Sequence, residues 1–314
     1  MSISLIIITA LVLDLIFGEP HRWHPLVGFG KTATWLESVF NKTNRKNHFV
    51  SYLFGVFAWA LMVLPVVAVI WFIEQFQMND EMTQPYVEVI VGVICLTFAI
   101  GTKSLMQHAK AVSDALKNSD ITLAQKRAAM IVSRDTAESD ELAVNRATIE
   151  SVLENGSDAI FAAIFWFIIL GAPGVILYRL ANTLDAMWGY RTERFNYFGW
   201  AAARIDDGLN WVPARLTALS YALAGNLVKA LKCWHQQAKH WHGINPGVVM
   251  ATGAGALNIS LGGVATYHGE QVERPVLGTD SKPQVADIDR AVKLIYKSLF
   301  IWIVFIVLGD YFVV

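Results

Sequence analysis

Residues 50–72 read VSYLFGVFAWALMVLPVVAVIWF, twenty-three residues in a row without a charge. At about 1.5 Å per residue such a helix reaches roughly 34 Å, enough to cross a hydrocarbon core of about 30 Å. Working outward, three more apolar runs read as spans: Ile3 to Phe17, Tyr86 to Gly101 and Leu294 to Val314. The first has no basic flank before it, contains Asp14 and ends in Gly18-Glu19-Pro20 instead of a small-x-small cleavage site. It is therefore read as a retained helix, not a signal peptide. The composition agrees, with 54% hydrophobic and 16% charged residues, where soluble domains carry about 25% charge.

Orientation follows from the flanks. Lys42, Arg45 and Lys46 follow the first run, and Lys103, Lys110, Lys117, Lys126 and Arg127 follow the third. The segment 73–85 holds Glu74, Asp80 and Glu81 and no Lys or Arg. By the positive-inside rule the two basic loops are cytoplasmic and the acidic one is outside. A net charge of −1 supplies no field that would draw nucleic acid. Cys95 and Cys233 have neither disulfide-framework nor zinc-ligand spacing.

Two further apolar segments are broken. Residues 159–181 are interrupted by Gly171-Ala172-Pro173-Gly174, which favours a re-entrant hairpin, and residues 212–231 begin at Pro213 and carry Arg215. If both span fully, the polar stretch between them lies outside; if both are half-inserted, the preferred reading, everything from Thr102 to Lys293 lies on the cytoplasmic side. Residues 102–158 read as a soluble helical domain, with a capping box at Asp135-Thr136-Ala137-Glu138, an apolar stripe of Leu142, Ile149, Val152 and Leu153, and a stop near Asn155-Gly156. Residues 241–283, rich in Gly, read as loop with short strands. The expected fold is all-α: a polytopic integral membrane protein with about four clear spanning helices, two broken or re-entrant membrane segments and a cytoplasmic helical domain. Its parts are 1–101 (three spans), 102–158 (helical domain), 159–231 (broken segments), 232–293 (cytoplasmic Gly-rich loops) and 294–314 (last span).

Polar groups gather at the edges of the apolar runs. Asp14 lies inside a run, where an acid has either a partner or a task, and His24 follows it. Arg134 and Asp135 precede Glu150, Glu154 and Asp158, three acids that recur every four residues and would share a helical face. They could ligate a metal, or Arg146 could pair with Glu150 as an ordinary surface ion pair. The densest stretch, residues 182–215, holds Asn182, Asp185, Tyr190, Arg191, Glu193, Arg194, Arg204, Asp206, Asp207, Asn210 and Arg215 among aromatics. Arginines of this kind grip phosphate or carboxylate and adjacent acids hold Mg²⁺, although an interfacial segment whose charges pair among themselves has the same composition. Gly253-Ala254-Gly255 and Gly262-Gly263 lack the Lys-Ser/Thr of a phosphate-binding loop and read as turns; Glu270, Glu273 and Arg274 add charge beyond them. No serine-hydrolase elbow, His-Glu-x-x-His helix or Cys-x-x-Cys pair occurs.

Read in order, these stretches resemble the CobD/CbiB family, the adenosylcobinamide-phosphate synthases of cobalamin biosynthesis. The most specific element is Asn182-Thr-Leu-Asp185, Gly189-Tyr190-Arg191-x-Glu193-Arg194, Phe198-Gly-Trp-Ala-Ala-Ala-Arg204-x-Asp206-Asp207 and Asn210-Trp-x-Pro-Ala-Arg215. Leu13-Asp14, Gly18-Glu19-Pro20, His24-Pro25, Ser133-Arg134-Asp135-Thr136, Glu154-Asn155, Ser157-Asp158, Leu261-Gly262-Gly263, Gly269-Glu270 and Glu273-Arg274-Pro275 extend it over nearly the whole chain. The chain departs from the family pattern at Gly156, Ala159, Ala163 and Val249-Met250.

The resemblance implies an inner-membrane (cytoplasmic membrane), multi-pass enzyme with its active site on the cytoplasmic side. Its reaction would join a corrin propionate of adenosylcobyric acid to the amine of (R)-1-amino-2-propanol or its O-phosphate. A carboxylate is a poor electrophile, so ATP and Mg²⁺ are implied as well. Asp185, Asp206, Asp207, Glu154 and Asp158 would hold the metal. Arg134, Asn182, Tyr190, Arg191, Arg194, Arg204, Asn210, Arg215, Glu270 and Arg274 would bind substrate or phosphate. Asp135, His24 or Glu193 could accept the amine proton. Trp188, Tyr190, Trp200 and Trp211 could face the corrin or anchor the interface. Association with other membrane enzymes of the pathway is implied as well. A non-catalytic membrane sensor on the same scaffold is the alternative, and a transporter is disfavoured because the ionisable groups lie at run edges and not near the midplane.

Overall fold

The computed structural model describes residues 2–18, 25–41, 48–76, 84–267 and 269–313. The described chain is mainly helical and divides into two compact units, 1–101 with 162–210 and 102–161 with 211–314.

The first unit holds α1 (Ile3–Phe17), α2 (Pro25–Phe40), α3 (His48–Phe76), α4 (Gln84–Ala99) and α8 (Ala163–Trp188), together with the first half of α9 (Trp200–Ala224). Its apolar helices approach closely where side chains are absent. A Cβ on Gly92 of α4 would stand 3.1 Å from the Phe167 ring of α8, and one on Gly55 of α3 would overlap the carbonyl of Phe198.

The second unit holds α5 (Thr102–Lys117), α6 (Ile121–Ala128), α7 (Glu141–Gly156), the rest of α9, α10 (Leu227–Gln237), α11 (Ile244–Leu257) and α12 (Ala286–Val313). Two antiparallel ribbons lie between α11 and α12. β1 (Ser260–Gly262) pairs with β4 (Val276–Gly278), and β2 (Ala265–Tyr267) pairs with β3 (Glu270–Val272). Arg290 of α12 donates to the carbonyl of Leu257 at 2.7 Å, satisfying an acceptor at the end of α11.

Among the described residues four helices are long and apolar enough to cross a membrane: His48–Gln75, Tyr86–Lys117, Glu141–Trp188 and Ala286–Phe312. The count matches the expectation but the membership differs. Helix α1 has 15 residues, about 22 Å, short of a full hydrocarbon core. Its place among the long helices is taken by Glu141–Trp188, because the chain does not stop at Asn155-Gly156. A π-helical segment, Ser157–Ala162, carries α7 directly into α8. Helical geometry does break at Gly171, whose φ of 64° and ψ of −151° suit glycine alone.

Other boundaries also move. Helix α7 is capped by Asp140, whose carboxylate accepts from the Ala143 N–H at 2.7 Å, and not by Asp135. Residues 135 and 136 are held elsewhere: the Asp135 N–H donates to the Thr266 carbonyl and the Thr136 hydroxyl to the Gln125 carbonyl. The segment expected to begin at Pro213 lies inside α9, and a new helix, α10, starts after the Asn226 cap. Residues 244–257, expected as loop, form α11. That helix is built of Gly, Ala and other small or apolar residues and is buried nearly all round, so it shows no amphipathic period.

Candidate functional site

In the second unit three stretches far apart in sequence meet at Glu150. This carboxylate sits inside the apolar stripe of α7, 1% exposed, where an unpaired charge would be untenable. Arg134 pairs with its Oε2; Arg274 donates through Nη1 to Oε2 at 2.9 Å; the Gly262 N–H donates to Oε1 at 2.7 Å. Arg274 also donates through Nε to the Gly263 carbonyl at 3.1 Å and lies 5.2 Å from the Trp241 ring centroid. Removing one partner from such a buried set costs about 3–5 kcal/mol, because the remaining charges stay desolvated. Arg146 does not pair with Glu150. It donates to the Gly262 carbonyl at 2.9 Å.

Asp135 lies exposed beside this cluster. Its Oδ2 accepts from the Gly269 N–H at 2.8 Å, which ties it to the β2–β3 turn, and Oδ1 makes no hydrogen bond among the described residues. Glu270 stands exposed on β3. Glu154, one turn beyond Glu150, is half-buried and makes no hydrogen bond or ion pair among the described residues. Asp158 falls in the π-helical segment. Arg215 donates to the Trp211 carbonyl at 2.7 Å and to Asn245 at 3.3 Å, with its guanidinium 4.2 Å from the Trp211 ring centroid.

In the first unit a polar chain crosses from α8 to α9. The Tyr178 hydroxyl donates to Asn210 Oδ1 at 3.0 Å, Asn210 Nδ2 donates to Asp206 Oδ2 at 3.0 Å, and Asn182 Nδ2 donates to Asp206 Oδ1 at 3.2 Å. Burial pushes the Asp206 carboxyl up to about 6, although the amides of Asn182 and Asn210 favour its charged form; the neighbouring Asp207 adds to the rise. Asp207 pairs with Arg204 at 3.3 Å. Arg194 forms a two-pronged pair with the buried Glu37 of α2, which also accepts from Asn41 at 2.6 Å. Asp185 lies at the end of α8, with its carboxylate against Gly189. Tyr190, Arg191 and Glu193 are exposed in the connection to α9. Trp188 is buried against Phe198, while Trp200 and Trp211 are exposed. His24 lies outside the described residues.

The five acids expected to hold magnesium are distributed over both units. Asp185, Asp206 and Asp207 belong to one unit and Glu154 and Asp158 to the other, and among the described residues no three His, Cys, Asp or Glu side chains are placed to hold a metal ion. Both oxygens of Asp206 accept amide hydrogens. The donor set among the described residues does not fit a protein-built magnesium cage, which needs near-octahedral oxygen ligands. Glu37 and Tyr178 carry these networks and were not singled out from sequence. An acid within the helical apolar pattern of residues 25–40 was the available signal for Glu37.

The family model described as "CobD/Cbib protein" matches residues 7–295. The chain is 51% identical over 304 residues to the "Cobalamin biosynthesis protein CobD" of Chromobacterium violaceum, covering 96% of this chain and 95% of that one. It is 50% identical over 314 residues to the protein of the same name in Stutzerimonas stutzeri, covering 99% of each. A "Probable cobalamin biosynthesis protein CobD" of Methanocaldococcus jannaschii is 34% identical over 305 residues, covering 95% of this chain and 98% of that one. No solved structure matches the chain.

Proposed function

This chain belongs to the CobD/Cbib family, and we propose that within cobalamin biosynthesis it joins adenosylcobyric acid to (R)-1-amino-2-propanol or its O-phosphate by ATP-dependent amide formation. A corrin propionate oxygen attacks the γ-phosphorus of ATP and ADP leaves. The amine nitrogen then attacks the acyl carbon, inorganic phosphate leaves, and a proton passes from nitrogen to a base.

The observation that carries this reading is the convergence of residues 133–135, Glu150 and residues 262–274 on one buried ion cluster with an exposed carboxylate at its edge. Asp135 is our choice of base, because one oxygen is fixed by the Gly269 N–H while the other is open to a substrate proton. The Arg134–Glu150–Arg274 cluster acts as the rigid support that holds residue 135 and the β2–β3 turn in register. Magnesium brought with the nucleotide would neutralise charge on the phosphates, since among the described residues no group of three acids is placed to hold it alone. We further place the protein in the inner membrane with both polar networks facing the cytoplasm.

The test is to incubate the purified protein with adenosylcobyric acid, aminopropanol or its phosphate, ATP and Mg²⁺, and to look for the amide by mass spectrometry. The expected product carries the mass of both substrates less one water. No product beside an active synthase run in parallel would sink the proposal.

A further inference from the structure

Arg134, Arg194, Arg204 and Arg274 are each paired with a carboxylate of the chain itself. Arg215 is not. Its Nη1 carries both of its hydrogen bonds, so Nε and Nη2 make none among the described residues. It lines a groove of about 620 Å³ in the second unit, together with Trp234, His235, Lys239 and Trp241. No Asp or Glu is among the described residues lining that groove, and neither Lys239 nor His235 has a hydrogen-bond or ion-pair partner among the described residues. Three nitrogen-bearing side chains thus face one space without a counter-charge, beside two indoles.

We infer that this groove binds a nucleoside triphosphate, with its phosphates against Arg215, Lys239 and His235 and its base against the indoles of Trp234 and Trp241. Guanidinium and ammonium groups favour phosphate oxygens, and an indole offers a flat apolar face on which any base can stack. The volume falls within the range of about 300–1,000 Å³ usual for small-molecule sites. Arg215 is held in place from behind, by the Trp211 carbonyl, the Trp211 ring and the buried Asn245, so little side-chain freedom is lost when an anion arrives. Trp241 also bears the Arg274 guanidinium at 5.2 Å, so the groove shares a wall with the Glu150 cluster. The inference rests on the ATP-dependent reading above, whose co-substrate it locates.

The experiment measures equilibrium binding of a non-hydrolysable ATP analogue with Mg²⁺ to the full chain in detergent, with inorganic tripolyphosphate and adenosine as competitors. Lys239→Ala should weaken the analogue and tripolyphosphate by about tenfold or more while leaving adenosine unchanged. Trp234→Leu should weaken the analogue and adenosine and spare tripolyphosphate. Both positions reach solvent at the groove, and an unchanged thermal midpoint checks that each variant is folded. Unaltered analogue binding in both variants overturns the inference, as does a wild-type chain that binds no analogue. So does a chain whose Lys239-dependent ligand proves to be the phosphatidylglycerol of nanodiscs, compared with phosphatidylcholine, and not the nucleotide. The two readings separate cleanly. Amide formation with an unchanged KM for ATP in Lys239→Ala removes the groove and keeps the synthase, whereas nucleotide binding here without amide formation does the reverse.

Discussion

Asp206 shows how one side chain records two demands. Its carboxylate is 9% exposed and is held by two amides, and the orientation of Asn210 is itself fixed by the Tyr178 hydroxyl, so Nδ2 must point at Asp206. Burial raises the carboxyl from 3.8 to about 6, so the folded state binds the proton more tightly than the unfolded chain. The stabilising contribution of this group is therefore fully present below the unfolded value of 3.8 and is lost as pH rises through about 6. The thermal midpoint of the wild type, measured relative to Asp206→Asn, should accordingly rise as pH falls from about 6 to about 4. A difference that is flat or falls across that window would contradict it. Sequence reading singled out Asp206 and its neighbours by family pattern, yet it had no means of seeing that Asn182 and Asn210 already engage both oxygens. Spacing identifies which residues share a helix, not which atoms meet across two helices.

Helix α11, rich in small residues, was the hardest to read and packs closely against its neighbour. Helix α11 was hidden because its residues are buried on nearly every side, so the periodicity that betrays amphipathic helices such as α5 and α10 is absent. Its glycines let α10 approach. A Cβ at Gly255 would stand 2.7 Å from the Lys229 carbonyl oxygen and 2.8 Å from the Ala230 Cα, both backbone atoms that cannot swing aside. Gly255→Val should therefore destabilise the protein by about 1–3 kcal/mol or more, read as a lower thermal midpoint in detergent. Gly208 on α9 is the control, since an added Cβ there meets nothing within 4 Å. Gly208→Ala should be neutral or stabilising by up to about 1 kcal/mol, through helix propensity alone. Equal losses in the two variants would mean that close approach at α10 and α11 is not what Gly255 provides.

At the scale of the whole molecule, the hydrogen bonds inside the second unit constrain topology in a way hydropathy does not. Glu150 bonds to Gly262 and Arg274, the Tyr221 hydroxyl donates to the Leu153 carbonyl, and Lys117 pairs with Asp289. Residues 102–161 and 211–290 are thus joined within the second unit, and we propose that the polar loops of that unit share one side of the bilayer. On that proposal the intervening residues 162–210 leave and return on the same side, crossing an even number of times. The break at Gly171 is where such a return would turn: residues 172–188 extend about 26 Å, short of about 30 Å, whereas the continuous helix that leads into the break, 141–170, is long enough to span. By the positive-inside rule the flanking Lys103, Lys110, Lys117, Lys126 and Arg127 predict the cytoplasm for that side. The apolar runs were plain in the sequence, but hydropathy counts segments and is blind to which polar loops bond to each other. With Cys95 and Cys233 replaced by serine, single cysteines at Asn118, Arg191 and Ser281 should all resist a membrane-impermeant maleimide in intact cells and react once the membrane is opened. Arg191→Cys decides the matter, because it lies just beyond α8 in an exposed turn. Were α8 a single full crossing, that cysteine alone would be labelled from outside, and the half-inserted hairpin would have to be abandoned.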